Sequence, residues 1–341
     1  MIIIRPIEIT DYDALMKCAE ESGYGLTSLP TNEELLRKRI DHSIKSFNGQ
    51  VDIPGTECYF FVAEDCDEKE VVGTTAIERA VGLTAPFYSY HLNKVVHSSR
   101  EFNVHNVIDV LTFGSDYTGS SELCSTFLRE NWRRGYNGKL LSKSRFLLMA
   151  QFKDKFSKTI FAEMRGVSDE YGNSPFWKWL QENFFSIEFS QADYLTGIGS
   201  KDIIADLMPK LPIYVNLLSK EAQAVIGKVH KDTVPALKLL EQEGFVNRGY
   251  VDIFDAGPSI ECDIDNIKSL RNSQVLKTVF VDNSDLMEKK SYICSNTKFS
   301  EFRASVIDIM IDEIKQEVYM TKEQAKYMKI KESEGLRVLS I

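Results

Sequence analysis

The chain has 341 residues, 43% hydrophobic and 27% charged, with a formal net charge of −9. That length and composition suit one large globular domain with an accessory unit, or two domains. The acidity excludes broad binding to a nucleic-acid backbone but leaves room for a local basic loop that holds one small anion.

Ile2 to Glu8 reads as a strand, and its short apolar start is no signal peptide. Thr10 or Asp11 then caps a helix running to about Ser22, with Tyr12, Leu15, Met16 and Ala19 on one face. The GYGLTSLP loop (23–30) leads to a charged amphipathic helix from about Thr31 to Phe47. CYFFVAED (58–65) and VVGTTAIERAVG (71–82) form a hairpin, and FYSYHLNKVVHSS (87–99), VIDVLTFGS (107–115) and ELCSTFL (122–128) continue the strand-rich series. Residues 139–153 are helical and TIFAEMRGV (159–167) is a strand. Short helices follow around 175–182, 201–208, 219–228 and 233–243, the last stopped by Gly244. FVNRGYVDIFD (245–255) returns as strand. A boundary falls near 256–275, around AGPS and DIDNIKSLRNS. Short β-rich runs and one helix around 321–329 complete the chain.

No stretch reaches the roughly 20 apolar residues of a membrane span. The six cysteines are far apart, with no C-x-x-C pair, and read as reduced packing residues. The expectation is a cytoplasmic protein without a structural metal site.

The chemistry gathers around RRGYNGK (133–139), a basic, glycine-containing loop between a strand and a helix. Such a loop offers backbone N–H groups and the positive end of a helix dipole to a phosphate; as a bare turn it would carry only solvated charge. The element order resembles the GNAT acyl-CoA transferases, whose loop reads arginine or glutamine, two spacers, glycine, any residue, glycine. Gly138 fits the second glycine, while Tyr136 stands at the first and Gly135 lies one position early. PALKLLEQEGF (235–245) resembles the helix that closes most GNAT domains. Leu240 occupies the position where many relatives carry a proton-donating tyrosine.

More specifically, TGSSELCSTFL (118–128), NGKLLSKSRFLLMAQFKDKF (137–156), AEMRGVSDEYGNSPFW (162–177), MPKLPIYVNLLSKEAQAVIGKVH (208–230) and GYVDIFDAGPSIECDID (249–265) resemble the arginine N-succinyltransferase family. HSSREFNVHN (97–106) fits too. The resemblance implies an α+β fold: a GNAT-type, largely antiparallel mixed sheet flanked by helices over residues 1–265, and a small, mainly β subdomain over 266–341. It implies transfer of succinyl from succinyl-CoA to the α-amino group of L-arginine by direct attack in a ternary complex. Succinyl-CoA would be a co-substrate, with no cofactor bound permanently. The partners would be small molecules, with a homo- or hetero-oligomer containing a related chain also open.

The resemblance puts the proton donor on His230. A thiol titrates near 8.5 and imidazole near 6.5, so histidine suits protonation of a departing CoA thiolate. Thr126, Arg133, Asn137, Gly138, Lys139 and Leu140 are the candidates for CoA. Chemical need nominates Arg100, Ser120, Ser121 and Arg165 for the substrate carboxylates, and Glu163, Asp169 and Glu170 for a guanidinium. Each of these groups would serve equally as a structural hydrogen bond or a surface charge. Two other readings stay open: the same fold acting on ornithine or another basic amino acid, and a low-activity CoA-binding subunit. Tyr136 and Tyr117, which stands where the family commonly has histidine, motivate the second.

Overall fold

The computed structural model describes residues 1–23, 29–170, 172–185, 187, 207–282, 286 and 288–341. In chain order it contains β1 (Ile2–Pro6), α1 (Tyr12–Ser22), α2 (Glu33–Phe47), β2 (Cys58–Asp65), β3 (Glu70–Glu78), β4 (Ser89–Ser99), β5 (Val104–Gly114) and β6 (Ser121–Leu128). Next come α3 (Asn137–Gln151), β7 (Thr159–Glu163), α4 (Pro175–Phe184), β8 (Ile213–Tyr214), α5 (Lys220–Val225), α6 (Val234–Glu243), β9 (Val246–Val251) and β10 (Pro258–Asp263). The last part holds α7 (Lys268–Asn272), β11 (Gln274–Phe280), β12 (Lys290–Asn296), β13 (Ala304–Asp312), β14 (Glu317–Met320), α8 (Lys322–Tyr327) and β15 (Gly335–Ser340). Two expected sequence features, the central part of the 23–30 loop and most of the 201–208 helix, lie outside the described residues.

The main sheet runs β1-β2-β3-β6-β7-β10-β9-β4-β5-β8, antiparallel except for β6 beside β7. Alternation along the strands divides the core into two layers. Phe60, Val62, Ala76 and Cys124 face α1 and α2, where Leu15, Leu36 and Ile40 cover them. Tyr59, Phe61, Ile77 and Leu123 face the opposite side, against Leu140, Leu147 and Leu148 of α3 and Leu240 of α6.

Local chemistry sets the helix ends. Asn32 caps α2 by accepting from the Leu35 N–H at 3.1 Å. Gly244 ends α6 at φ +108°, in the left-handed region that glycine enters freely. Asp11 does not cap α1 as expected. Its carboxylate instead takes a bidentate pair from Arg5 at 2.7 and 2.8 Å and accepts from the Glu8 N–H. A buried arginine is a stronger draw on that carboxylate than one exposed helix end.

The AGPS stretch leads straight into β10, inside the main sheet, rather than into a linker. Gly257 is required there, because a Cβ would lie 2.1 Å from the Met164 carbonyl oxygen. Beyond α7, the five last strands close on themselves: β12-β15-β11-β14-β13, with β12 pairing back to β13. The interior of this small barrel is apolar, with Leu276, Cys294, Ile309, Val318 and Val338 at its centre. It joins the main sheet where β13 meets β1 at Ile3–Ser305 and Ile4–Ala304.

Candidate active site

β6 and β7 are paired only at Ser121–Ile160 and Glu122–Phe161. Past that point they separate, and the gap is the entrance of a cleft of about 1130 Å³. The cause is local to β6. Between Cys124 and Phe127 this strand has one residue more than its partner β3 has between Ala76 and Thr74. The extra residue makes a β-bulge, with Ser125 at φ +52°. Cleft-lining residues 123–128 of β6 thus present backbone no longer engaged by β7.

The strand delivers the chain to the basic loop. Arg133, Arg134, Gly135, Gly138 and Lys139 line one end of the cleft. Gly135 takes φ +56° and makes the left-handed turn. Tyr136, with φ −98° and ψ 3°, takes an ordinary conformation at the helix N-cap, so its side chain costs the turn nothing. No side chain caps α3, and the first N–H groups of a helix have no partner within it. A Cβ on Gly138 would meet nothing within 4 Å, so this turn of the helix opens onto free space. Arg133 donates from Nε to the Leu128 carbonyl at 2.7 Å, and Asn137 donates from Nδ2 to the Trp132 carbonyl at 3.0 Å. Both brace the loop. Leu140 is buried in the core below it.

The far wall comes from β7 and the segments that follow it: Glu163, Met164, Arg165, Lys231, Asp232, Thr233, Asp252 and Asp255 all line the cleft. Among the described residues, the buried Nε of Arg165 has no hydrogen-bond partner, while its Nη2 donates to Ser168 at 3.2 Å. His230 sits immediately behind this wall, 8% exposed. Its backbone N–H donates to the Arg165 carbonyl at 2.9 Å. Its ring Nδ1 accepts from the Asp232 N–H at 3.3 Å, and the Asp232 carboxylate lies 3.6 Å from the same nitrogen. Burial, then the charge of Arg165, push the imidazole pKa below its ordinary value.

This is the strand, basic loop and helix arrangement expected from the sequence. The sequence profile described as arginine N-succinyltransferase beta subunit matches residues 2–269. An arginine N-succinyltransferase of Citrobacter koseri is 48% identical over 342 residues, covering all of this chain and 98% of the relative. The Escherichia fergusonii arginine N-succinyltransferase is 46% identical with the same coverage. This chain belongs to the arginine N-succinyltransferase family. The solved structure of arginine/ornithine succinyltransferase subunit AI from Pseudomonas aeruginosa superposes with a TM-score of 0.90 at 34% identity, covering 100% of this chain and 98% of that one.

Within this arginine N-succinyltransferase fold, the site residues read from the sequence divide. Thr126, Arg133, Gly138, Lys139, Glu163 and Arg165 come together around the cleft. Asn137 and Leu140 support the loop from behind. Arg100 lies on the exposed turn between β4 and β5, outside the cleft. Ser120 donates its N–H to the Tyr117 carbonyl, and Ser121, fully buried, donates to the Arg79 carbonyl at 2.5 Å and accepts from the Ser157 N–H. Both serve the start of β6. Asp169 closes a surface turn by accepting from Asn173, and Glu170 is exposed nearby.

The sequence reading missed Arg145, Asp252 and Asp255. Asp255 is buried and accepts from Gly166 and Gly257 N–H groups at 2.6 and 2.8 Å. Burial and the neighbouring Asp252 push its pKa up. Tyr117, the other departure from the family pattern, is buried. It stacks on Phe161 at 4.1 Å and donates to Glu261 at 3.0 Å, a packing role that needs no histidine. No described helix is long and apolar enough to cross a membrane.

Proposed function

We propose that the chain transfers succinyl from succinyl-CoA to the α-amino group of L-arginine, releasing CoA and N2-succinyl-L-arginine. The observation that carries this reading is the cleft itself. Its uncapped helix start, its bulged strand and the histidine behind its far wall match the three things acyl transfer from CoA needs, in the order that CoA would span them.

The pyrophosphate fits the Gly135–Lys139 turn, where backbone N–H groups, Lys139 and Arg133 meet it. The pantetheine then lies along the exposed backbone of β6, and the thioester reaches the bulge at Ser125 and Thr126. Arg165 receives the α-carboxylate of the amino acid, and Glu163 and Asp252, which line the same wall, take its guanidinium. The amine attacks the thioester carbonyl, forming the C–N bond; collapse breaks C–S. His230 takes a proton from the attacking amine and returns it to the thiolate sulfur. The neutral imidazole, kept so by burial and Arg165, can accept that proton. Asp232 holds either ring tautomer, through its N–H or its carboxylate. No covalent enzyme intermediate is invoked. Cys124, buried on β6 with its thiol pKa raised by burial, is a poor nucleophile.

Residues 266–341 are proposed to act as a brace for α3. Arg337 of β15 donates to the Gln151 side chain at 2.9 Å and to the Ala150 carbonyl, gripping the helix at the end opposite the cleft.

The test is CoA release from succinyl-CoA with arginine as acceptor; no release above background from folded protein refutes the proposal. The P. aeruginosa relative is named for both arginine and ornithine, so ornithine is the second acceptor. The two amino acids competing in one assay rank them.

A further inference from the structure

Two arginines line the walls of the cleft beyond the phosphate end, and both proposed substrates bring a carboxylate. Arg165 stands on the β7 wall beside His230. The other is Arg145, two turns into α3, 3% exposed and lining the same cleft. Every hydrogen-bond partner of its guanidinium is neutral. Nη1 donates to Thr126 Oγ1 at 3.0 Å, Nη2 to Ser142 Oγ at 3.4 Å, and Nε to the Ser142 carbonyl at 3.2 Å. Among the described residues, no carboxylate pairs with it. A buried cation with no anion is costly, and burial lowers its pKa to about 10. Arg5 shows the contrast: also buried, it is held by both Asp11 and Glu64.

We propose that Arg145 is the binding site for the free carboxylate of the succinyl group, and so selects a dicarboxylic acyl chain over a simple fatty one. The inference rests on the transferase reading, which puts the thioester at the bulge of β6. Arg145 reaches that place: it touches the side chain of Thr126, next to the bulge residue Ser125. Three carbon–carbon bonds separate the thioester carbonyl from the carboxylate carbon, a span of about 4 Å. A thioester seated at the bulge would therefore bring its succinyl carboxylate within reach of the guanidinium, which touches Thr126 at 3.0 Å. Its planar fork matches a carboxylate in two-point contact, and Thr126 Oγ1, already bonded to Thr75 Oγ1 at 3.0 Å, keeps the fork from rotating. Arg133, Arg134 and Lys139 stand at the phosphate end, and Arg165 and Lys231 on the opposite wall. That leaves Arg145 as the cation on the donor side.

The experiment is equilibrium binding by calorimetry of succinyl-CoA, butyryl-CoA and CoA to the full chain. Butyryl has the same number of carbons as succinyl but lacks the charge. No acceptor is needed, so the result does not depend on which amino acid is used. The wild type should bind succinyl-CoA roughly 10- to 100-fold tighter than butyryl-CoA, the scale of a charge-assisted hydrogen bond. Arg145→Gln should erase that preference while leaving CoA affinity unchanged, and Arg145→Lys should keep part of it. Melting curves confirm that each variant is folded. Arg145→Gln weakening all three ligands equally would make Arg145 a brace for β6 and overturn the assignment. So would a wild type that binds succinyl- and butyryl-CoA alike. A wild type that binds none of the three overturns the transferase reading itself.

Discussion

The backbone N–H of His230 donates to the carbonyl of Arg165 at 2.9 Å, and Gly166 bridges to Val229 beside it. One rigid junction thus sets both a titrating ring and the charge that disfavours its protonation. Burial is the larger cause of the lowered His230 pKa and Arg165 the second. With a neutral imidazole as the active form, kcat/KM should rise with pH through an apparent pKa below 6.5, the ordinary histidine value. Replacing Arg165 by Gln removes the repulsion, so the same limb should move to higher pH. A pH–rate profile of the two proteins checks the sign.

His230→Gln should lower kcat by roughly 10²–10⁴, the usual worth of a general acid–base, and remove that acid limb. Thermal stability should change little, because the ring's one hydrogen bond in the structure is long. Turnover within a few-fold of wild type would take His230 out of the mechanism.

In the loop, Gly135 and Tyr136 should answer oppositely to substitution. Gly135→Ala forces a Cβ into the left-handed region at a cost of about 1 kcal/mol, and CoA should bind correspondingly less tightly. Tyr136→Gly restores the residue the GNAT pattern favours, yet Tyr136 already has an ordinary φ. CoA affinity should stay within about fivefold, the equivalent of about 1 kcal/mol. Titration of CoA against each variant decides.

Glu243, 2% exposed, ends α6 by pairing with Lys143 at 2.8 Å and accepting from the N–H and hydroxyl of Ser269 at 2.7 and 2.8 Å. Glu243→Ala leaves an ammonium and an N–H without their acceptor. Stability should fall by about 3 kcal/mol or more, seen as a lower denaturation midpoint.

Gly257→Ala should cost about 1–3 kcal/mol through overpacking, since the new methyl would meet both the Met164 carbonyl and the Gly166 N–H at 2.1 and 2.6 Å. Because those two residues flank Arg165, catalytic rate should fall with stability. Melting temperature and kcat measured together check this.

Strand and helix order was legible because short apolar, aromatic-rich runs such as CYFFVAED and the glycine stop at 244 are local signals. The loop 133–139 was legible for the same reason. Arg145 was not. In NGKLLSKSRFLL it sits among lysines and serines, which suggests a solvated helix face. α3 has no such face here, because the barrel and α7 cover the side turned away from the sheet. Asp252 and Asp255 were hidden in a run read as continuous strand to 255, whereas β9 ends at Val251 and the chain turns into the cleft. Ser121 and Arg100 show the converse: their chemistry suits a substrate, but pairing within the sheet carries one into the interior and the other to a hairpin tip. Only tertiary placement separates such residues.

The closure of β12 onto β13 bears on how the chain avoids sticking to itself. A sheet that ends in a closed barrel offers no open row of backbone groups at that end, so no other strand can add there. At the other end, among the described residues, β8 pairs with β5 only at Val110 and Leu111. The half of β5 toward the hairpin tip, with exposed Val104 and Val107 and with Phe102 at 73% exposure in the turn, is the edge on which strand addition or aggregation would begin. A lysine at Val107 is the change that would guard it.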